Sequence, residues 1–140
     1  MSMQTITELN ETKNIYNNSG VRKRVLIVED NEIMSRILKY QLDNLGYDFD
    51  VAANGTDAIK LLNPRHSLIL IDVGLPDISG WHLAKQIKSL KAPLCNIPII
   101  MNSAHADQET IDQNKEYNQG FISKPINQKQ LKLILNKALN

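Results

Sequence analysis

The stretch Ser67–Gly80, SLILIDVGLPDISG, decides how this chain folds. Four apolar residues, Leu68 to Ile71, run straight into Asp72, and Gly74, Pro76 and Gly80 follow. An unbroken apolar run closed by turn residues reads as a strand buried on both faces. A carboxylate at the end of such a strand calls for a chemical reason. Just downstream, SGWHLAKQIKSLK (79–91) reads as a helix that turns Leu83, Ile87 and Leu90 inward, with Ser79 as its cap. Strand, turn and amphipathic helix in this order make half of a parallel βαβ unit.

The same unit recurs on both sides. Upstream, RVLIVED (24–30) is a β-branched apolar run ending in two acids. Asn31 then caps a helix with apolar positions Ile33, Ile37, Leu38, Leu42 and Leu45, closed by Gly46. YDFDVAA (47–53) is a weaker second strand with Phe49 and Val51 on one face, and NGTDAIKLLN (54–63) a short helix ended before Pro64. Downstream, IPIIMN (97–102) is the fourth strand and HADQETIDQNKEYN (105–118) a very polar helix expected to pack loosely. GFIS (120–123) is the fifth strand, and NQKQLKLILNKALN (127–140) a last helix burying Leu131, Ile134, Leu135 and Ala138. Five alternations of strand and helix predict a doubly wound α/β sandwich around a parallel sheet.

The chain's 140 residues amount to one domain. Its 16 basic and 15 acidic side chains nearly cancel, so no global field favours nucleic acid or a membrane surface. Arg22–Lys23–Arg24 reads as a solvated lead-in to a strand. A single cysteine, Cys95, excludes an internal disulfide and fits a reducing compartment. No apolar run approaches the roughly 18 residues of a membrane span, so the expected location is cytoplasmic. Residues 1–21, rich in Asn, Thr and Ser, are expected to form a flexible lead-in, in which Ile6, Leu9 and Ile15 leave room for a short docked helix. The folded domain is expected over 22–140.

In open parallel sheets, sites form beyond the carboxyl ends of the strands. Those ends carry Glu29 and Asp30, Asp72, Ser103 and Lys124, so three acids, a hydroxyl and an ammonium converge on one rim. Three carboxylates in one pocket either raise a pKa or recruit a cation. With hard oxygen ligands only, Mg²⁺ is the natural occupant. A carboxylate beside such a metal can attack a phosphoryl group and form an aspartyl phosphate. Lysine and metal then neutralise the phosphoryl oxygens. Asp72 is therefore the candidate phosphoacceptor.

At these residues the chain from Arg24 to Leu139 resembles the receiver domain of two-component response regulators. VLIVEDN (25–31) resembles the family's acidic-pair motif and LILIDVGLPDISG (68–80) its phosphoacceptor motif. PIIMNSAHA (98–106) resembles the hydroxyl motif, and GFISKPI (120–126) the lysine–proline motif. The resemblance implies a flavodoxin-like (βα)5 sheet of strand order 2-1-3-4-5. It implies phosphorylation of Asp72, with Mg²⁺ held by Asp30, Asp72 and the Gly74 carbonyl, and by Glu29 through water. It also implies that Lys124 holds a phosphoryl oxygen, that Ser103 moves to bond another, and that Phe121 is the switch aromatic. The face of the fourth helix, fifth strand and fifth helix would then rearrange, and the Lys124–Pro125 bond would be cis. Implied partners are a sensor histidine kinase or histidine phosphotransfer domain, near Met34 and Pro125–Ile126, and a downstream protein.

The chain departs from the family at three places. Ser103 stands where threonine is commoner, and Phe121 where tyrosine is common. Gly74 leaves the phosphoryl group uncovered on one side, which predicts easier water attack and a short phosphoryl lifetime. Two positions past Ser103, His105 is a candidate to fill part of that gap. His66 and His82 read as surface residues, Trp81 as a partly buried packing residue, Asp77 as a turn residue and Glu32 as a first-turn helix acid.

Other readings stand beside this one. A hydrolase of the haloacid-dehalogenase type also uses a strand-end aspartate, a hydroxyl and a lysine, but needs a second aspartate where Gly74 lies. A non-phosphorylated docking module would not need every reacting group, yet all are present. Since Leu139 is followed only by Asn140, a stand-alone receiver is expected, with the receiver of a larger hybrid histidine kinase as the alternative. In either case the chain catalyses only its own phosphorylation and dephosphorylation.

Overall fold

The computed structural model describes residues 15–17 and 20–139. Five strands alternate with five helices: β1 Arg24–Val28, α1 Glu32–Leu45, β2 Asp48–Ala52, α2 Gly55–Leu61, β3 His66–Asp72, α3 Gly80–Lys88, β4 Ile99–Ser103, α4 Gln108–Gln113, β5 Gly120–Ser123 and α5 Gln128–Leu139. All strands pair in parallel, in the order β2-β1-β3-β4-β5. The winding reverses between β1 and β3, so the carboxyl ends of those two strands flank the crevice.

Alternate residues of each strand feed two cores. Leu26, Val28, Ile69, Ile71, Ile99 and Met101 join Leu83, Ala84 and Ile87 on one face. On the other, Val25, Ile27, Leu68, Leu70, Ile100 and Ile122 meet Leu38 and Leu42 of α1 and Leu131 and Leu135 of α5. This two-sided burial explains why β1 and β3 read as continuous apolar runs.

The helix ends follow local chemistry. The side chains of Asn31, Asn54, Ser79 and Asp107 accept from the backbone N–H three residues on, at the starts of α1 to α4. Gly46 ends α1 at φ 93°, a left-handed conformation natural to glycine.

Several expectations are corrected. In α1 the buried residues are Ser35, Leu38, Gln41 and Leu42, whereas Ile33 and Ile37 are exposed. The inward stripe passes through two polar residues, one of which has structural work described below. The polar segment after β4 is not one helix: α4 spans six residues with none buried, and a 3₁₀ turn follows at Lys115–Tyr117. Too few apolar side chains lie in this stretch to hold a longer helix against the sheet.

His66 is not a surface residue: it is 2% exposed at the start of β3. The Asn63 N–H donates to its Nδ1 at 3.2 Å, which leaves Nε2 to donate to Asp50 Oδ2 at 2.8 Å. Arg24 holds the other Asp50 oxygen at 2.9 Å. Of the lead-in, residues 1–14, 18 and 19 lie outside the described residues, as does the short helix expected there. Ile15 packs against the core on the α1–α5 side, and Tyr16 bridges Arg22.

Candidate functional site

The chain places its acids at the crevice because apolar strands end there. Glu29 follows β1 and is 2% exposed, Asp72 ends β3 and is 6% exposed, and Asp30 is exposed. One carboxylate oxygen from each of the three lies within 4.8 Å of the others. Lys124, directly after β5, reaches back across the sheet. Its Nζ donates to Glu29 Oε1 at 2.9 Å and lies 3.0 Å from Asp72 Oδ1.

The electrostatics are those of a crowded acidic pocket. Burial pushes the Glu29 carboxyl up, with help from the Asp72 charge, and this outweighs the hydrogen bond and charge of Lys124. Burial pulls the Lys124 ammonium down, but its bonds to Glu29 and Asp72 reverse this and leave it raised. The lysine is thus a fixed cation, shared between two buried carboxylates.

The donor set fits Mg²⁺. It offers oxygen ligands only, clustered at a distance a small cation can bridge, with the exposed Asp30 on the solvent side. The structure brings Glu29, Asp30, Asp72 and Lys124 together. Gly74 lies on the open side, where an added Cβ would meet only Asp72 Oδ2, at 4.0 Å.

Ser103 ends β4 and is buried, its hydroxyl donating to the His105 carbonyl at 2.9 Å and accepting from the His105 N–H at 3.1 Å. The His105 side chain is exposed. Phe121 is half-buried, and its ring stacks on Trp81 with centroids 6.2 Å apart. The Lys124–Pro125 bond is cis.

Three supporting residues carried no readable signal in the sequence. Gln41, buried in α1, donates to the Ile126 carbonyl at 2.8 Å and so ties α1 to the turn after Lys124. Gly80 lets α3 approach β3: a Cβ there would strike the Asp72 carbonyl oxygen and lie 2.7 Å from Val73 Cα. Asp77, expected as a turn residue, instead clamps the β3–α3 loop to α2. Its carboxylate accepts from the Gly55 N–H, the Thr56 N–H and the Thr56 hydroxyl, each at 2.9 Å.

Those bonds, the Gly55 N–H first, hold the Asp77 carboxyl at about 2, below its usual 3.8. An acid depressed on folding stabilises the fold above its unfolded pKa, and that contribution is lost as pH falls through the folded one. The clamp should therefore persist in moderate acid and open only near pH 2. An NMR titration of the Asp77 carboxyl carbon should give a midpoint near 2, with the Gly55 and Thr56 amides following; a midpoint near 3.8 would show that the clamp does not form in solution.

The comparisons agree with this architecture. Residues 25–136 match the family model of the response regulator receiver domain, and the chain belongs to that family. It is 36% identical over 108 residues to the polar-differentiation response regulator DivK of Brucella ovis, covering 74% of this chain and 85% of DivK. It is 32% identical over 123 residues to hybrid signal transduction histidine kinase L of Dictyostelium discoideum, covering 81% of this chain but only 7% of that kinase. Among solved structures, the receiver domain of sensor histidine kinase PA1611 from Pseudomonas aeruginosa superposes with a TM-score of 0.75 at 26% identity. The match covers 84% of this chain and 97% of that one, which holds a magnesium ion in its active site cleft. The chain is thus a receiver domain of the two-component type. Among the described residues, no helix is long and apolar enough to cross a membrane.

Proposed function

We propose that the chain is a phosphoacceptor switch, in which Asp72 takes a phosphoryl group from a phosphohistidine of a sensor kinase or phosphotransfer domain. The observation that carries this reading is the shared lysine: one ammonium bonded to both Glu29 and Asp72 at the reversal of the sheet. In the transfer, an Asp72 carboxylate oxygen forms a bond to phosphorus. The donor's N–P bond breaks, and its electron pair stays on the imidazole nitrogen.

Glu29, Asp30, Asp72 and the Gly74 backbone carbonyl would hold Mg²⁺, which when bound supplies positive charge against the phosphoryl oxygens. Lys124 leaves Asp72 for a phosphoryl oxygen, and Ser103 exchanges its bonds to His105 for another. The exposed Gly74 leaves water a path to the phosphorus. Moving Ser103 frees room for Phe121, and the face of α4, β5 and α5 changes shape. With no buried residue in α4, that shift disturbs few packed contacts. This action belongs in the cytoplasm, with a downstream protein as partner and no direct contact with nucleic acid. The same chemistry would serve a stand-alone receiver, which the match over 85% of DivK supports, or one carried within a hybrid histidine kinase, which the likeness to kinases L and PA1611 supports.

Trp81, the one tryptophan, reports on this switch through its stack with Phe121. Its emission should change when acetyl phosphate is added with Mg²⁺, and should not change in Asp72→Asn. A phosphorylated protein whose Trp81 emission matches the free protein would contradict movement of Phe121.

A further inference from the structure

Asn102 is fully buried in β4, and neither atom of its side-chain amide has a hydrogen-bond partner. It lies opposite Asp72 in the parallel register, about 4.8 Å away across the sheet. Alternation along the strands puts both side chains on the face that carries Leu70, Ile100 and Ile122. Among such apolar neighbours a leucine or valine would serve packing better, because an unpaired buried amide destabilises the fold. The amide is thus free to bond a partner that appears in another state of the protein.

Asp72 supplies that partner. Its Oδ1 is held by Lys124 at 3.0 Å, while its Oδ2 faces the open side at Gly74. Oδ2 is thus the attacking atom, and Oδ1 becomes the carbonyl oxygen of the acyl phosphate. When Lys124 moves to the phosphoryl group, Oδ1 loses its lysine donor, and one of its two lone pairs is freed even where the other would face a bound Mg²⁺. We infer that Asn102 is a positioning residue for Asp72, its amide N–H taking over Oδ1 as Lys124 departs; the inference rests on the phosphoacceptor reading above.

The bond matters most in the transition states, where Oδ1 carries charge but no longer has the lysine. In hydrolysis, water oxygen bonds to phosphorus and the Oδ2–P bond breaks. The electron pair returns to the Asp72 carboxylate, and the water's proton passes to solvent. Asn102 stabilises the charge building on that departing carboxylate, and in the forward step the charge still on Oδ1 once Lys124 has left it. It thereby speeds both gain and loss of the phosphoryl group.

The test sets stability against rate. Asn102→Leu should raise the urea midpoint, since it removes an unpaired buried amide, yet slow both phosphorylation by acetyl phosphate and decay of the phosphoprotein about tenfold. Asn102→Val, too small to overfill the site, should behave alike. Asn102→Ser, which keeps a hydroxyl donor, should recover part of both rates. Apolar variants with wild-type rates, or with a lowered urea midpoint and unchanged rates, would overturn the inference and leave the reading of Asp72 standing. A wild-type protein that gains no phosphoryl group would overturn both.

Discussion

Lys124→Met is expected to lose about 3 kcal/mol of stability at neutral pH, because it leaves Glu29 and Asp72 buried side by side with no cation between them. The lysine is 17% exposed, and the side chains of its two partners 0% and 8%, so solvent screens this interaction little. The loss should depend on pH in a definite direction. Glu29 already has a raised pKa in the fold, so its ionised form opposes folding above that value. The opposition is relieved as pH falls toward the ordinary 4.5, where the carboxyl protonates. Removing Lys124 deletes its hydrogen bond and its charge and leaves only the Asn31 N–H to hold Glu29 down, so the relief should begin at higher pH than in wild type. Urea unfolding across that range should show Lys124→Met regaining stability on acidification, and Mg²⁺ should restore part of it at neutral pH. A variant as stable as wild type at neutral pH would show that the shared ion pair is absent in solution.

Gly80→Ala should be as damaging for a steric reason. The new methyl would collide with the Asp72 carbonyl oxygen and lie 2.7 Å from Val73 Cα and 2.9 Å from the Asp72 carbonyl carbon. All three are backbone atoms, so no side chain can turn aside. Helix α3 must withdraw from β3, stretching the 2.8 Å bond from the Gly80 N–H to the Val73 carbonyl. We expect a loss of about 3 kcal/mol in urea unfolding, and slower phosphorylation, because the strand end that aims Asp72 moves with it. Near-wild-type values for both would contradict the close approach.

How much of this was legible in the sequence follows from the range of the interactions involved. The endings of β1 and β3 were readable because burial on both faces makes a strand uniformly apolar up to its terminal acids. Asn31, Gly46 and Ser79 were readable because capping acts within a few residues. For these reasons the positions of Glu29, Asp72, Ser103 and Lys124 could be placed at the rim of the sheet, whereas the strand order came from the family resemblance.

The parts that escaped depend on distant partners. His66 is buried with its ring bonded to Asp50, 16 residues away, and nothing beside Pro64 signals this. Gln41 answers to Ile126, 85 residues on, and Asp77 to Gly55, 22 residues back. Asn102 looked like an unremarked residue of the fourth strand until the register set it against Asp72. Ile33 and Ile37 fitted a helical period, yet the stripe of Ser35, Leu38 and Gln41 faces inward, where Gln41 bonds the Ile126 carbonyl 85 residues away.

The central claim is that Asp72 is the phosphoacceptor, and intact mass tests it most directly. Wild type and Asp72→Asn are incubated with acetyl phosphate, with and without Mg²⁺. The account predicts one added phosphoryl group in wild type with Mg²⁺, none without it, and none in the variant. No gain in wild type, or the same gain in Asp72→Asn, would contradict it.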